Sequence, residues 1–219
     1  MWRGNEGEYV RTRQDGFKTR LYRVIQEKYF AVLAERGYNN RIFSRGVRRS
    51  QVIRSFEGKT PKIAESSFIS EAAYIVGDVE IGDYSNVWPG AVVRGDFAKI
   101  KIGRYVDIED NCTVHAGNDM EVGDNVIVGH GAGLHSRKVG NNVLIGMNAT
   151  TLPNSEIGDN CIIAPGAVVT EGMKIPSGSF VVGVPAKVKG PITEQQRGWI
   201  DGHFAFYPPL AKRYKDQKL

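Results

Sequence analysis

The 219-residue sequence predicts a mainly β protein whose short strands wind into a parallel β-helix, and three regularities carry that prediction. Aliphatic residues return every six positions from Ile63 onward. Glycine often follows the aliphatic residue, as in Ile81-Gly82, Ile102-Gly103 and Ile157-Gly158. Four positions after the aliphatic residue sits a small or β-branched one, such as Ala73, Ser85, Ala91, Cys112, Ala132 or Cys161. A period of six matches neither the helix at 3.6 nor the plain strand at two. It suits short strands separated by tight turns, where Gly, Asn and Asp accept a positive φ. Three hexads, roughly 18 residues, close one coil of a triangular prism. Coils stacked as parallel strands rise by about 4.8 Å each, so six or seven of them make a rod of about 30 Å.

Taken in order, residues 1–52 form an extension outside the repeat. Residues 1–54 hold 13 Lys and Arg against 5 Asp and Glu, whereas the rest of the chain is mildly acidic. Phe17, Leu21, Val24, Ile25, Val32 and Leu33 fall at helical spacing over residues 17–36, and Gly37 is a natural stop. A basic amphipathic helix of this kind can dock on a partner, touch a membrane surface or target an organelle. Arg41-Ile42-Phe43-Ser44 resembles a mitochondrial processing site, but five acidic residues in the first 35 oppose a transit peptide. The extension reads as accessory, and the location as cytoplasmic, with a mitochondrial alternative.

The repeat occupies residues 53–190. Its inward positions run Ile63, Ile69, Ile75, Ile81, Val87, Val93, then Ile102, Ile108, Val114, then Val122, Val128, Leu134, and onward from Val139 to Val181. With the three prism faces lettered A, B and C, Ile81 lies on A, Val87 on B and Val93 on C. Cys112 and Cys161 fill small inward positions, so they read as buried core thiols in a reducing compartment.

The period breaks in three consecutive coils, each time after face C: nine residues from Val93 to Ile102, eight from Val114 to Val122, five from Leu134 to Val139. Irregular loops gathered at one corner of a rigid scaffold are where binding residues concentrate. Arg94, His115 and His135 follow the three face-C residues and should stack in one column. His130 follows Val128 on face B, with Asp110 one coil beneath it. Three imidazoles with an open fourth position describe a catalytic zinc site. Face B points away from face C, so His130 can join the other two only from a neighbouring prism. That arrangement predicts metal sites at the subunit interfaces of a trimer. His203, the fourth histidine, reads as an ordinary surface residue.

Arg94-Gly95-Asp96, Glu109-Asp110-Asn111, Val114-His115 and Gly129-His130-Gly131-Ala132-Gly133-Leu134-His135 together resemble the gamma-class carbonic anhydrases, over roughly residues 53–190 plus a closing helix. The resemblance implies a left-handed β-helix. It implies a homotrimer in which His115 and His135 of one subunit bind the metal, zinc or ferrous iron, with His130 of the next. It also implies that Arg94 pairs with an aspartate across the interface, Asp96 or Asp110. The implied activity is reversible hydration of carbon dioxide to bicarbonate. Three imidazoles lower the pKa of a metal-bound water towards about 7 and so supply hydroxide.

Three departures bear on rate. Glu109-Asp110 stands where the family has Gln-Asp, and an ionised glutamate accepts a hydrogen bond without donating one. Phe97 stands where well-studied members have a glutamate. Their acidic shuttle loop is reduced to residues 116–121, leaving Asp119 as the local proton carrier. Tyr207 is the candidate for the family's tyrosine near the metal.

Residues 191–219 read as helical. Thr193 and Gln196 make a capping box opening a helix over 193–206, which Pro208-Pro209 interrupts before a further stretch at 210–218. The helix should cover the open end of the last coil or lie along the prism. Two other functions fit the repeat: an acyl-CoA-dependent acyltransferase using one histidine as base, and a non-catalytic assembly subunit. No nucleic-acid-binding motif and no run of about 20 apolar residues is present.

Overall fold

The computed structural model describes residues 52–218; the helix expected at 17–36 and the processing-site pattern lie outside the described residues. The described chain is a parallel β-helix with three columns of strands. Face B comprises β3 (Phe68–Ile69), β5 (Asn86–Val87), β7 (Asp107–Ile108), β10 (Val126–Val128), β13 (Val143–Ile145), β16 (Ile162–Ile163) and β19 (Ser179–Val182). An antiparallel strand, β20 (Lys187–Pro191), closes it. Face A carries β2 (Lys62–Ile63), β9 (Met120–Val122), β12 (Lys138–Val139), β15 (Glu156–Ile157) and β18 (Lys174–Ile175). On face C are β1 (Ile53–Arg54), β8 (Thr113–His115), β11 (Gly133–Leu134), β14 (Thr150–Thr151) and β17 (Val168–Val169). Two long strands, β4 (Tyr74–Ile81) and β6 (Val92–Ile102), run from face C to face A and join the two columns into one sheet.

The register is the one the six-residue period dictates. Ile102 pairs with Val122, Val122 with Val139, and Val139 with Ile157. On face B, Ile108 pairs with Val128 and Val128 with Ile145. These side chains and the small partners, including Cys112 and Cys161, form one continuous buried core. Each aliphatic residue withdrawn from water contributes about 1.5–3 kcal/mol, so the stack supplies the main driving force. The glycines after the aliphatic residues answer to close coil-to-coil approach. A Cβ on Gly103 would stand 2.5 Å from the carbonyl oxygen of Gly123.

Two expectations are corrected. The nine-residue step after Val93 is no loop, because β6 continues through it alongside β4. The register slips from Gly77↔Gly95 to Val79↔Ile100, and the extra residues form a bulge that pushes Asp96 and Phe97 outward. The second correction concerns the C-terminus, where a single helix, α1 (Glu194–Gln217), runs through Pro208 and Pro209. Thr193 caps it with the expected box. Prolines weaken the helix locally by removing backbone donors, but α1 is anchored on both sides of them. Ile200 packs with Ile127 and Ile162, and Ala211 with Phe68 and Trp88. Tertiary packing outweighs the local penalty, and α1 lies along face B. None of the described helices is long and apolar enough to cross a membrane.

Candidate metal centre

Strand pairing builds the predicted column. Arg94 pairs with His115, and Val114 with Leu134, so His135 stands one coil beyond His115. The two imidazoles meet edge to face with centroids 5.6 Å apart. From the bulge, Asp96 sets Oδ1 3.0 Å from His115 Nε2 and takes the Arg94 guanidinium on its other oxygen, within the same chain. Burial pushes the Asp96 carboxyl up, but hydrogen bonds from Arg94 and His115 outweigh it and hold the group below the usual carboxylate range. Burial, with His115 and Arg94 nearby, lowers His135. His135 therefore stays neutral, with a lone pair available, to a lower pH than a free imidazole. The ring of Phe97, 75% exposed, sits 5.6 Å from that of His115.

His130 stands on the other sheet, above Asp110 as predicted. Its Nδ1 is 3.1 Å from Asp110 Oδ2 and its Nε2 3.4 Å from Glu109 Oε2. The same Glu109 oxygen accepts the His130 backbone N–H at 2.8 Å. Glu109 is buried because α1 covers it, and Tyr207 of α1 lies close enough to feel its charge. Burial first, then the Glu109 charge, pushes the Tyr207 phenol well above its ordinary value, so it remains a neutral donor.

His203 is not the surface residue expected. Its side chain is 11% exposed, with Nε2 2.5 Å from Asp107 Oδ2, and its ring stacks on Tyr207 with centroids 3.9 Å apart. Asp107, fully buried, accepts the Trp88 indole N–H at 2.5 Å on its other oxygen. A signal for this cluster did exist: Asp107 and Glu109 flank the inward Ile108, so both must point out of face B, and His203 and Tyr207 are one helical turn apart. What was missing was the knowledge that α1 covers that face.

Asp119 is exposed and accepts the backbone N–H of Lys99 at 3.1 Å. It lines an open groove of about 540 Å³ with Phe97, Asn118, Arg137 and Asn154.

Among the described residues, the group whose ligating atoms fall within 4.8 Å of one another is Asp107, Glu109 and His203. Hydrogen bonds already join Asp107 to both His203 and Trp88, which accounts for the cluster without an ion. The three predicted ligands divide differently: His115 and His135 share one column, and His130 belongs to the opposite sheet. Paired, half-buried imidazoles with one held neutral are a donor set that fits zinc or ferrous iron. One chain supplies two of them at one place and the third at another.

The bacterial transferase hexapeptide family (six repeats) matches at residues 60–95 and 138–171. A probable carbonic anhydrase of Methanocaldococcus jannaschii is 45% identical over 158 residues, 71% of this chain and 99% of that one. The mitochondrial gamma carbonic anhydrase 1 of Arabidopsis thaliana is 31% identical over 78% of this chain and 66% of its own length. Among solved structures, a hexapeptide transferase family protein from Anaplasma phagocytophilum superposes with a TM-score of 0.71 at 32% identity, covering 74% of this chain and 97% of that one. Repeat, histidine placement and relatives agree: this chain belongs to the gamma-class carbonic anhydrase family of hexapeptide-repeat proteins.

Proposed function

We propose that the chain is a metal-dependent carbonate dehydratase that interconverts carbon dioxide and bicarbonate as a homotrimer. His115 and His135 of one subunit and His130 of the next would hold the metal, zinc or ferrous iron. One observation carries this reading: two imidazoles face each other in one column while the third faces away on the opposite sheet. A metal held by these three histidines would supply Lewis-acid chemistry, making water acidic enough to provide hydroxide for carbon dioxide.

The chain's own residues supply the rest. Asp110 takes the Nδ1 side of His130, which would leave Nε2 for a metal. Glu109, held by the His130 backbone N–H and flanked by Tyr207, would accept a hydrogen bond from the reacting hydroxyl. Arg94 and Asp96, paired within one chain and positioned against His115, would lie at the subunit boundary. Asp119 carries the released proton to solvent along its groove. Phe97 caps His115 with an apolar ring where a second carboxylate would speed proton release.

The transferase names among the relatives favour a second reading, an acyl-CoA-dependent acyltransferase. A single catalytic base does not call for three histidines arranged in this way. The third reading, a non-catalytic assembly subunit, draws on Glu109 and Phe97. A cytoplasmic location is the simplest reading, and a mitochondrial one would parallel the plant relative.

The deciding experiment is stopped-flow carbon dioxide hydration on protein purified anaerobically and loaded separately with Fe(II) and Zn(II). Activity that is lost in His130→Ala establishes the reading and identifies the better metal. A loaded trimer inactive with both metals, combined with acyl-CoA binding, transfers the assignment to acyl transfer.

A further inference from the structure

Both oxygens of one buried carboxylate are tied to aromatic rings, and those two rings hold a third. Asp107 Oδ1 accepts the Trp88 Nε1–H, and Asp107 Oδ2 meets His203 Nε2, each at 2.5 Å. Trp88 then packs edge-on against Tyr207 with centroids 5.7 Å apart, and His203 stacks on Tyr207 at 3.9 Å and 11°. Tyr207 stands near Glu109, whose charge acts on its phenol and whose Oε2 accepts the backbone N–H of His130. A carboxylate only accepts hydrogen bonds, so Asp107 satisfies two N–H donors at once and fixes both ring planes. Nothing else in the cluster does this: the second Glu109 oxygen is 4.0 Å from His203 Nδ1, beyond hydrogen-bonding distance.

We propose that Asp107 and His203 are positioning residues for the hydration reaction, acting as a clamp that aims the Tyr207 hydroxyl at Glu109. The inference rests on the proposed hydratase reading, since it gives Tyr207 and Glu109 their place beside the site. The clamp draws the C-terminal helix into the chemistry: Asp107 belongs to β7, and His203 and Tyr207 to α1, so Glu109 meets the phenol only when the helix is seated. Removing His203 frees one face of the phenol and leaves an Asp107 oxygen without its donor.

The test is a double-mutant cycle on the full-length, metal-loaded trimer, using His203→Ala and Tyr207→Phe singly and together. Loss of such a supporting contact lowers activity about 10-fold or more. The expected result is a fall in kcat for His203→Ala with KM and metal content unchanged, and no further fall when His203→Ala is added to Tyr207→Phe. Tyrosinate absorbance, read as the difference between chains with and without Tyr207, provides a signal independent of turnover. Its titration should move down towards the ordinary phenol value in His203→Ala. In His203→Gln, which keeps an N–H for Asp107, part of the shift should be restored. An equal loss of kcat from His203→Ala in the presence and absence of the Tyr207 hydroxyl, or an unmoved Tyr207 titration, overturns the clamp. If the wild type does not hydrate carbon dioxide, the hydratase reading fails while the Tyr207 titration still decides whether the clamp exists.

Discussion

Whether the metal site is shared between subunits can be decided by complementation. Two chains are co-expressed with different tags, one carrying His130→Ala and the other His135→Ala. Each variant alone yields trimers in which every site lacks one imidazole, and activity should fall at least ~100-fold, more than the loss of a supporting contact alone. In a mixed trimer, a site is complete where a chain with intact His115 and His135 adjoins one with intact His130. Whichever chain is in the majority, a doubly tagged trimer completes one such site in three, so these trimers should recover about one third of wild-type hydration and bound metal. The strand register is what makes the number definite, because His115 and His135 are consecutive in one column and segregate together, while His130 segregates separately. The assay is stopped-flow hydration with metal analysis on doubly tagged trimers. A mixture no more active and no richer in metal than its parents would mean that all three ligands come from one chain, refuting the reasoning.

Four further outcomes follow from the geometry. Gly103→Ala forces a Cβ to 2.5 Å from the Gly123 oxygen and should cost about 1–3 kcal/mol, lowering Tm by several degrees, whereas Gly198→Ala, in an open helical position, should be neutral or stabilising; both are read by thermal unfolding. The Cys112 thiol, pushed up to about 12 by burial, should resist a thiol-specific reagent at neutral pH in the native protein and react after denaturation. Asp124 is held below the usual carboxylate range by Arg104. Its folded-state pKa being the lower one, its contribution is present above about pH 4 and lost as pH falls through the folded value. Asp124→Asn should accordingly flatten acid unfolding curves slightly and leave stability above neutral pH within about 1 kcal/mol. Glu109→Gln removes a negative charge beside the reacting centre and should move the acidic limb of the kcat profile down by about one pH unit, measured by hydration rate against pH.

The β-helix was legible because its rule is local and repeated. Each hexad states which residue turns inward, and the stacking of Ile102 on Val122 and of Val128 on Ile145 follows from counting. The same counting placed His115 beside His135 and put His130 over Asp110, because a residue's position in its hexad sets its height and face. Counting failed where the repeat departs from itself. The stretch after Val93 is a bulged strand, since the pull of the adjoining β4 ladder keeps its ends paired while the extra residues bow outward.

What the sequence determined by itself, then, is the coil, its core and the faces on which the histidines stand. The tertiary structure alone decided what becomes of the outward-facing side chains. Asp107 and Glu109 alternate outward from face B and would be solvated carboxylates on a bare prism. The helix laid over them arrives from 96 residues further along the chain to bring His203 to Asp107. No periodicity encodes that meeting. It depends on Ile200 and Ala211 finding apolar seats on face B, seats firm enough to carry the helix past two prolines. Hydrophobic docking at those distant points turns exposed acids into a buried, hydrogen-bonded network next to His130.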